Sequence, residues 1–448
     1  MSETTKLSVG FARVDITPKE PVPLGGFGNT MFRIFKTIRD PLMASCFAVT
    51  DDQDTTVLLV SLDLSVIENR IADRIRGEIN TRYGVPVENI ILSAIHTPAG
   101  PDMHSDCEAM ERFYQYLQMR VVSAAGLALA DRWEAKAYMS DIETENMNFV
   151  RHYQNTDAEG NVHYFGDGFG KQVLDATTRH ITDADPTMHI LKFVRPGSKD
   201  LVLANFRMHP ITVGAAKKYE LSADVCGEFR KSAEERSDML VTYFQGAAGN
   251  VNCTSRIPAE RIAIECAAYG ARLADYLFRG LQNMEEVKTA PIRTKKTVLE
   301  APTNHSTDCL LEHAKQVQKI WMETYDIAKA RECGRPYGIR SPYHANAIAR
   351  RTTLPPTMQE ELDAISIGNL AFVAAPNELF DPLSVYVEEH APYDKVITLG
   401  YANGYKGYVP TQYGYEYTCY ESDCTNYAPG AGELIAETLV SMLEDLKK

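Results

Sequence analysis

Hydrophobic positions near the start of the chain follow a strand, helix, strand order. Residues 55–67 are apolar at almost every position, which predicts a strand covered on both faces. Residues 68–83 instead carry isoleucines at four-residue spacing, which predicts an amphipathic helix with one buried face. Gly84 and Pro86 end that helix, and the apolar run at 89–97 predicts another buried strand. Alternation of this kind favours an α/β fold.

The rest of the chain extends this pattern without an internal repeat. A short strand at 10–18 leads into a Pro/Gly loop at 21–28, and the region 334–358 indicates a long excursion rather than a domain joint. Helices are expected near 108–131, 225–238, 258–283, 307–333 and 432–447. We therefore predict a mixed β-sheet core flanked by helices, in a single domain spanning residues 1–448.

Composition and charge limit the classes of function that this chain can have. With 44% hydrophobic and 24% charged residues, the chain has the composition of a globular protein. Its formal net charge of -14 argues against nucleic acid and anionic lipid headgroups as partners. Nine scattered cysteines do not form the framework of a small secreted domain. Because the N-terminal segment is polar and no apolar run approaches the roughly 20 residues that cross a bilayer, we predict a cytoplasmic protein without stable membrane association.

Four residues are candidate ligands, although no spacing rule selects them as a set. His96 in SAIHTPAGPD and His209 in LVLANFRMHPITVG both follow apolar runs, where a ligand is as plausible as a structural histidine. Glu378 follows the strand-like AFVAAP, where a glutamate that opens a helix is more often a cap. Tyr408 lies in a stretch with seven tyrosines among 23 residues, which usually indicates a core or a sugar-contacting wall.

Six segments, in order along the chain, resemble the motifs of the neutral, non-lysosomal ceramidases. They are GFARVDITP, SAIHTPAGPD, NFRMHP, FQGAAGNVN, ISIGNLAFVAAPNELF, and GYKGYVPT followed by CYES, and together they extend from about residue 10 to residue 425. The chain therefore resembles the N-terminal catalytic domain of that family. It resembles a short, bacterial-type member without room for the C-terminal sandwich domain.

The resemblance implies a metal centre and two catalytic residues. The implied ligands of one Zn²⁺ are His96, His209, Glu378 and Tyr408. Arg151 in NMNFVRHY and Tyr420 in TCYES match the family's donors to the oxyanion. Zinc lowers the pKa of its bound water toward neutrality, so the implied reaction is hydrolysis of an amide, or of an ester, by a metal-activated water.

The sequence departs from the family at two positions. Pro98 stands where the family has the second histidine of its HTH motif, and Asn252 stands where it has a functional serine. An amide cannot act as a hydroxyl nucleophile, so water attack is favoured over an acyl-enzyme. Asp224 and His104 are candidates for the general acid, although a helix N-cap is the preferred interpretation of Asp224.

The substrate class follows from the acidic surface and the predicted lack of a membrane anchor. We expect a small, soluble molecule, and the sequence leaves a homo-oligomer open. The sequence leaves two alternatives open. One is a true ceramidase or N-acyl-lipid amidohydrolase, which a long apolar groove beside the zinc would favour. The other is a non-catalytic metal- or carbohydrate-binding protein, which the two departures and the many tyrosines would favour.

Overall fold

The structure, a computed structural model, describes residues 5–26, 33–166, 174–213, 219–260, 265–305, 308–417 and 419–448. Its strands are β1 (Leu7–Asp15), β2 (Thr37–Ile38), β3 (Met43–Asp51), β4 (Thr56–Leu62), β5 (Ile90–Ala94), β6 (Trp133–Glu143), β7 (Phe149–Val150), β8 (His152–Thr156), β9 (Val162–Gly166), β10 (Arg179–His180), β11 (Thr187–Val194), β12 (Leu201–Phe206), β13 (Glu220–Leu221), β14 (Leu240–Gln245), β15 (Val251–Asn252), β16 (Glu285–Glu286), β17 (Arg293–Pro302), β18 (Thr357–Ile367), β19 (Leu370–Ala374), β20 (Glu378–Leu379), β21 (Lys395–Leu399) and β22 (Tyr408–Val409).

The α-helices of the described residues cover these strands. They are α1 (Asn69–Tyr83), α2 (Glu108–Ala130), α3 (Asp224–Glu235), α4 (Cys266–Gly280), α5 (Leu311–Thr324), α6 (Ile327–Gly334), α7 (Pro342–Arg351), α8 (Asp381–His390), α9 (Gln412–Glu416), α10 (Tyr420–Cys424) and α11 (Ala431–Lys447).

Two mixed sheets form the centre of the protein. The larger sheet has the order β14-β12-β11-β6-β1-β3-β4-β5, with β16 paired to β6. Its pairs β4–β5 and β12–β14 are parallel and the others along this order are antiparallel. The smaller sheet has the order β17-β18-β19-β21 and is parallel only between β19 and β21. The predicted α/β fold with a mixed sheet core flanked by helices is confirmed.

Alternation along β4 shows why the two sheets pack together. Val57 and Leu59 point into a hydrophobic core that also contains Phe372 of the smaller sheet. Leu58 and Val60 point to the opposite face, into the core formed with α1 to α4. Because side chains alternate across a strand, a run that is apolar throughout buries both faces of the sheet. Helices α8 and α11 cover the outer face of the smaller sheet.

The large sheet curls so that its two ends approach each other. Ser61 of β4 donates a hydrogen bond from Oγ to the carbonyl of Tyr243 in β14, at 2.6 Å. The loop that follows β21 spans the same gap, since the Gly400 N–H donates to Gln245 O at 2.9 Å and the Ala94 N–H of β5 donates to Tyr401 O at 3.2 Å. The tyrosine-rich segment therefore starts directly beside the strand that leads to His96.

Several predicted boundaries change. The helix at 68–83 is confirmed as α1, and the left-handed Gly84 (φ 71°) ends it. The helix predicted at 258–283 is α4, which begins later than predicted, while residues 261–264 of that prediction lie outside the described residues. The helix predicted at 307–333 is two helices, because Tyr325 turns left-handed (φ 51°) between them; residue 307 lies outside the described residues.

The region predicted as a long excursion contains more regular structure than expected. It includes α7, whose N-cap is Ser341, with Oγ accepting the His344 N–H. Together with α5 and α6 this helix encloses a small hydrophobic core of its own, which includes Val317, Ala330 and Ile348. In the loop predicted at 21–28, residues 27 and 28 lie outside the described residues.

Candidate metal centre and active site

His96 and His209 each follow the end of a strand of the large sheet. His96 comes two residues after β5 and adopts a left-handed backbone conformation (φ 64°), which is uncommon for a residue with a Cβ and often marks a functional position. His209 follows β12, and its backbone N–H donates to Val251 O at 2.8 Å. The two imidazole rings meet edge to face, with their centroids 4.9 Å apart.

Backbone carbonyls orient both imidazoles. His96 Nδ1 lies 2.7 Å from Ser65 O, and His209 Nδ1 lies 2.9 Å from Val251 O. A carbonyl only accepts, so Nδ1 donates in both rings, and Nε2 is the nitrogen that each ring can offer to a metal. Both Nε2 atoms face Glu378 Oε2, at 3.3 Å from His96 and 3.1 Å from His209. This is the tautomer that a metal ligand requires.

Glu378 is held by the pairing of two very short strands. In the parallel pair β20–β22, Glu378 is in register with Tyr408, so the third and fourth predicted ligands are neighbours across one pair of strands. Gly249 packs against the same backbone, and a Cβ at that position would lie 2.4 Å from Glu378 O. The glycine-rich segment FQGAAGNVN therefore permits a close backbone approach behind the carboxylate.

Three tyrosines surround Glu378, and two of them were not predicted. Tyr405 Oη donates to Glu378 Oε1 at 2.5 Å, and Tyr401 Oη lies 3.4 Å from Oε2. Tyr401 also stacks on His96, with centroids 4.1 Å apart. Burial, followed by the charge of Glu378, raises the pKa of Tyr408 well above its usual value, although Arg151 acts in the opposite direction. A cation bound beside this phenol would also oppose that shift.

The donor set is suited to a divalent cation. Ligand atoms of His96, His209 and Glu378 all lie within 4.8 Å of one another, and the three side chains are buried or nearly so. Burial, followed by the charge of Arg151, lowers the pKa of His209 to about 4, so its imidazole is neutral at ordinary pH. Burial would raise the pKa of Glu378, but its contacts with the two histidines more than offset this effect, so the pKa lies well below its usual value. Two neutral imidazoles and one carboxylate are a common ligand set of catalytic zinc.

A pocket of about 450 Å³ opens over this cluster. Its wall includes all six predicted site residues, because Arg151 and Tyr420 line it together with the four predicted ligands. The Arg151 guanidinium lies 5.5 Å from the ring centroid of Tyr408 and 6.0 Å from that of Tyr420. The structure therefore brings together residues that lie between positions 96 and 420 of the chain.

Arg151 is not free in this pocket. Its Nη2 pairs with Glu421 Oε1 at 2.5 Å and donates to Gly249 O at 2.9 Å. Glu421 in turn accepts from His152 Nε2 at 2.8 Å. Glu421 was not among the predicted site residues, although it directly follows Tyr420 in the same motif. A buried carboxylate beside an arginine cannot be distinguished from a surface glutamate by sequence alone.

The residues that depart from the family pattern lie in the same pocket. Pro98 and Asn252 both line it, and so does His104, whose ring lies 5.5 Å from that of Tyr405. Asp224 is not among the residues that line this pocket. The prediction of Asp224 as a helix N-cap is wrong, because α3 begins at Asp224 itself and Ala223 is the N-cap.

Asp224 instead ties the segment after His209 to the start of α3. Its buried carboxylate accepts the backbone N–H groups of Thr212 at 3.1 Å and Val213 at 2.7 Å. It also accepts the N–H of Val225 at 2.7 Å. This carboxylate holds the chain three residues beyond a predicted metal ligand in place, and its position outside the pocket removes it as a general-acid candidate.

A second group of possible ligand atoms lies next to the pocket, formed by His152, Cys419 and Glu421. Glu421 already pairs with Arg151, and burial raises the pKa of the Cys419 thiol well above its ordinary value. Because a metal would need the thiolate and an unengaged carboxylate, this group fits a metal less well than the first. The nine cysteines of the chain are all free thiols in the structure.

Comparison with solved structures identifies the architecture. The neutral ceramidase from Pseudomonas aeruginosa superposes with a TM-score of 0.73 at 18% sequence identity, over 99% of this chain and 75% of that chain. This is a neutral-ceramidase-like fold. A ceramidase complexed with C2 gives a TM-score of 0.72 at 18% identity, over the same shares of the two chains. Neither a protein-family model nor a curated protein matches the sequence.

At this identity the likeness establishes the neutral-ceramidase-like fold alone, and the reaction depends on the chemistry of the site. Among the residues that the structure describes, no helix combines the length and the apolar character needed to span a bilayer.

Proposed function

We propose that this protein is a zinc-dependent hydrolase that cleaves an amide bond, or an ester as a close variant, of a small soluble substrate. The observation that carries the proposal is the convergence of His96, His209 and Glu378 at the base of a pocket that Arg151 and Tyr420 also line. Metal ligands and oxyanion donors facing one cavity are the two parts that metal-assisted hydrolysis of a carbonyl requires.

Zinc is the metal that this ligand chemistry favours. His96, His209 and Glu378 would hold it, with Tyr408 as the fourth protein ligand because its strand pairs in register with Glu378. When bound, zinc supplies a Lewis acid and lowers the pKa of a bound water. The chain's own contribution is to fix the tautomers of both histidines through Ser65 O and Val251 O and to keep Glu378 ionised.

The part of the pocket wall beside Tyr408 would stabilise the developing charge on the substrate oxygen. The Arg151 guanidinium and the Tyr420 hydroxyl are donors, and the Tyr408 and Tyr420 rings meet edge to face at 5.7 Å beside them. Water attack is preferred to an acyl-enzyme because Asn252 offers no nucleophilic hydroxyl. His104 remains a candidate for the proton donor to the leaving amine, since it lines the pocket and is half-exposed.

The pocket favours a small substrate, although a lipid amide is the main alternative. Its volume of about 450 Å³ lies in the lower half of the usual range for small-molecule sites. Helices α6 and α7 close part of it, through Ile327 and Tyr343. The similar solved structures are those of ceramidases, which supports testing N-acyl sphingoids beside short N-acyl amines.

Metal analysis of purified protein tests the centre directly. We expect about one zinc per wild-type chain, because a mononuclear site has this ligand set, and little zinc in His96→Ala. His104→Ala is the matched control, since it removes an imidazole from the same pocket without removing a predicted ligand. Equal zinc in His96→Ala and wild type would refute the assignment.

A substrate panel tests the reaction. The zinc-loaded protein should hydrolyse N-acyl amines or esters, with the highest kcat/KM for short acyl groups. A preference for long-chain N-acyl sphingoids would instead favour the ceramidase hypothesis. Zinc binding without turnover on any amide or ester would favour the non-catalytic alternative.

A further inference from the structure

Glu421 occupies an unusual electrostatic position in the pocket wall. It is 1% exposed and lies between two side chains that are consecutive in sequence. Its Oε1 pairs with Arg151 Nη2 at 2.5 Å, and its Oε2 accepts from His152 Nε2 at 2.8 Å. Burial alone would raise the pKa of Glu421, but the charges of Arg151 and His152 more than offset it and lower the pKa well below the ordinary value. The group is therefore a buried carboxylate anion.

The backbone around these residues is fixed on both sides. Glu421 lies in α10 directly after Tyr420, the second predicted oxyanion donor. Arg151 follows β7, its N–H donates to Asn250 O at 2.9 Å, and its Nη2 also donates to Gly249 O at 2.9 Å. One carboxylate thus connects the segment that carries one oxyanion donor with the segment that carries the other.

The Arg151–Glu421 pair has a direct consequence for anions that enter the pocket. A guanidinium with a buried carboxylate partner is oriented by it, and the positive charge that it presents to other anions is reduced. An oriented guanidinium stabilises the transition state, because negative charge develops on an oxygen at a defined position. Charge reduction weakens the binding of a carboxylate product, which would otherwise form a bidentate pair with the same fork.

We propose that Glu421 is a positioning residue that aims the Arg151 guanidinium at the reacting carbonyl oxygen and limits retention of the carboxylate product. This inference rests on the proposed hydrolase function. If it holds, removing the charge of Glu421 lowers kcat but strengthens the binding of a carboxylate. A merely structural role would weaken catalysis and anion binding together.

The experiment compares three variants in the zinc-loaded, full-length protein. Glu421→Gln removes the charge and keeps the size, whereas Glu421→Asp keeps the charge and shortens the side chain. Asp423→Asn is the matched control, because Asp423 is a buried carboxylate in the same helix and pairs with Arg340, which is not among the residues that line the pocket. For each variant, kcat, KM, zinc content, Tm and the Kd of acetate, measured by calorimetry, are compared with wild type.

For Glu421→Gln we expect kcat to fall about 10- to 100-fold, as for a donor displaced by about an ångström, with zinc content unchanged. Acetate should bind several-fold more tightly than to wild type, because Arg151 is no longer neutralised. Glu421→Asp should recover much of the kcat and leave the acetate Kd near the wild-type value. Asp423→Asn should change both quantities by less than about 3-fold.

Three outcomes would overturn the inference. The first is a kcat for Glu421→Gln within about 3-fold of wild type. The second is weaker acetate binding in parallel with lower kcat, as for general damage to the pocket. The third is an acetate Kd in Glu421→Gln that equals that of Asp423→Asn. If wild type itself hydrolyses no substrate, the proposed function fails, and the acetate measurements still decide whether Glu421 controls the charge of Arg151.

Discussion

The tyrosines around Glu378 allow direct metal ligation to be separated from indirect support. Tyr408 is the predicted ligand, and Tyr405 is the neighbour with the shortest contact to Glu378, at 2.5 Å between Tyr405 Oη and Oε1. The perturbation is a single Tyr→Phe substitution at each position. It deletes one hydroxyl oxygen and leaves the buried ring in place, so packing is nearly unchanged.

The expected magnitudes differ because the two oxygens act differently. Tyr405→Phe removes one hydrogen bond to a charged group, which is worth about 1.5–3 kcal/mol. At about 1.4 kcal/mol per tenfold change, zinc affinity should fall roughly 10- to 100-fold, the usual range for a residue that supports a ligand from behind. Tyr408→Phe removes a ligand atom itself, so its loss of affinity should exceed that of Tyr405→Phe.

The assay is competition for zinc with a chelator of known affinity, at one pH and one ionic strength. Tm without zinc serves as the control, because both variants should then unfold within a few degrees of wild type. The reasoning is refuted if Tyr405→Phe weakens zinc binding more than Tyr408→Phe does. In that case Tyr405 would be the fourth ligand, and the register between β20 and β22 would not identify the ligand.

Two further predictions concern the oxyanion wall and a buried carboxylate. Tyr420→Phe should keep its zinc and lose about 100-fold or more in kcat, as for a removed oxyanion donor, and unchanged turnover would remove Tyr420 from the mechanism. Burial raises the pKa of Glu360 to about 7 from 4.5, so the folded state retains a proton that the unfolded chain releases. Its stabilising effect is complete below pH 4.5 and is lost as the pH rises through 7, by up to about 3 kcal/mol. In urea unfolding between pH 5 and pH 8, Glu360→Gln should therefore lose less stability than wild type, whereas parallel curves would contradict the assignment.

The sequence predicts the layers of this fold better than its boundaries. Apolar runs such as 55–67 indicate strands buried on both faces, because that burial is visible in composition alone. That strand nevertheless ends at Leu62, and the next residue, Asp63, accepts hydrogen bonds of 2.5 Å and 2.6 Å from Arg230, a partner distant in the chain that the sequence does not reveal. The left-handed turn at Tyr325 was equally invisible, because no glycine marks it.

The candidate site was predictable only through motif resemblance. Spacing gave no reason to choose Tyr408 over Tyr401 or Tyr405, which the structure places beside the same carboxylate. Glu421 was missed because its importance depends on Arg151, a residue 270 positions earlier in contact with it only after folding. The assignments of the metal ligands, the cytoplasmic location, the single domain and the oligomeric state stay predictions until they are measured.

The short strands explain how residues so far apart form one site. β7 pairs with β15, His209 bridges to Asn252 of β15, Gly249 N–H donates to Leu379 O of β20 at 2.8 Å, and β20 pairs with β22. Each of these links is a backbone hydrogen bond or bridge, so it does not depend on the side chains at Pro98 or Asn252. The side chains at those two positions can therefore alter proton transfer and substrate choice while the predicted ligands His209, Glu378 and Tyr408 keep their places. Backbone links thus fix three of the predicted ligands, whereas the wall formed by His104, Asn252 and helices α6 and α7 is lined by side chains that these links do not involve.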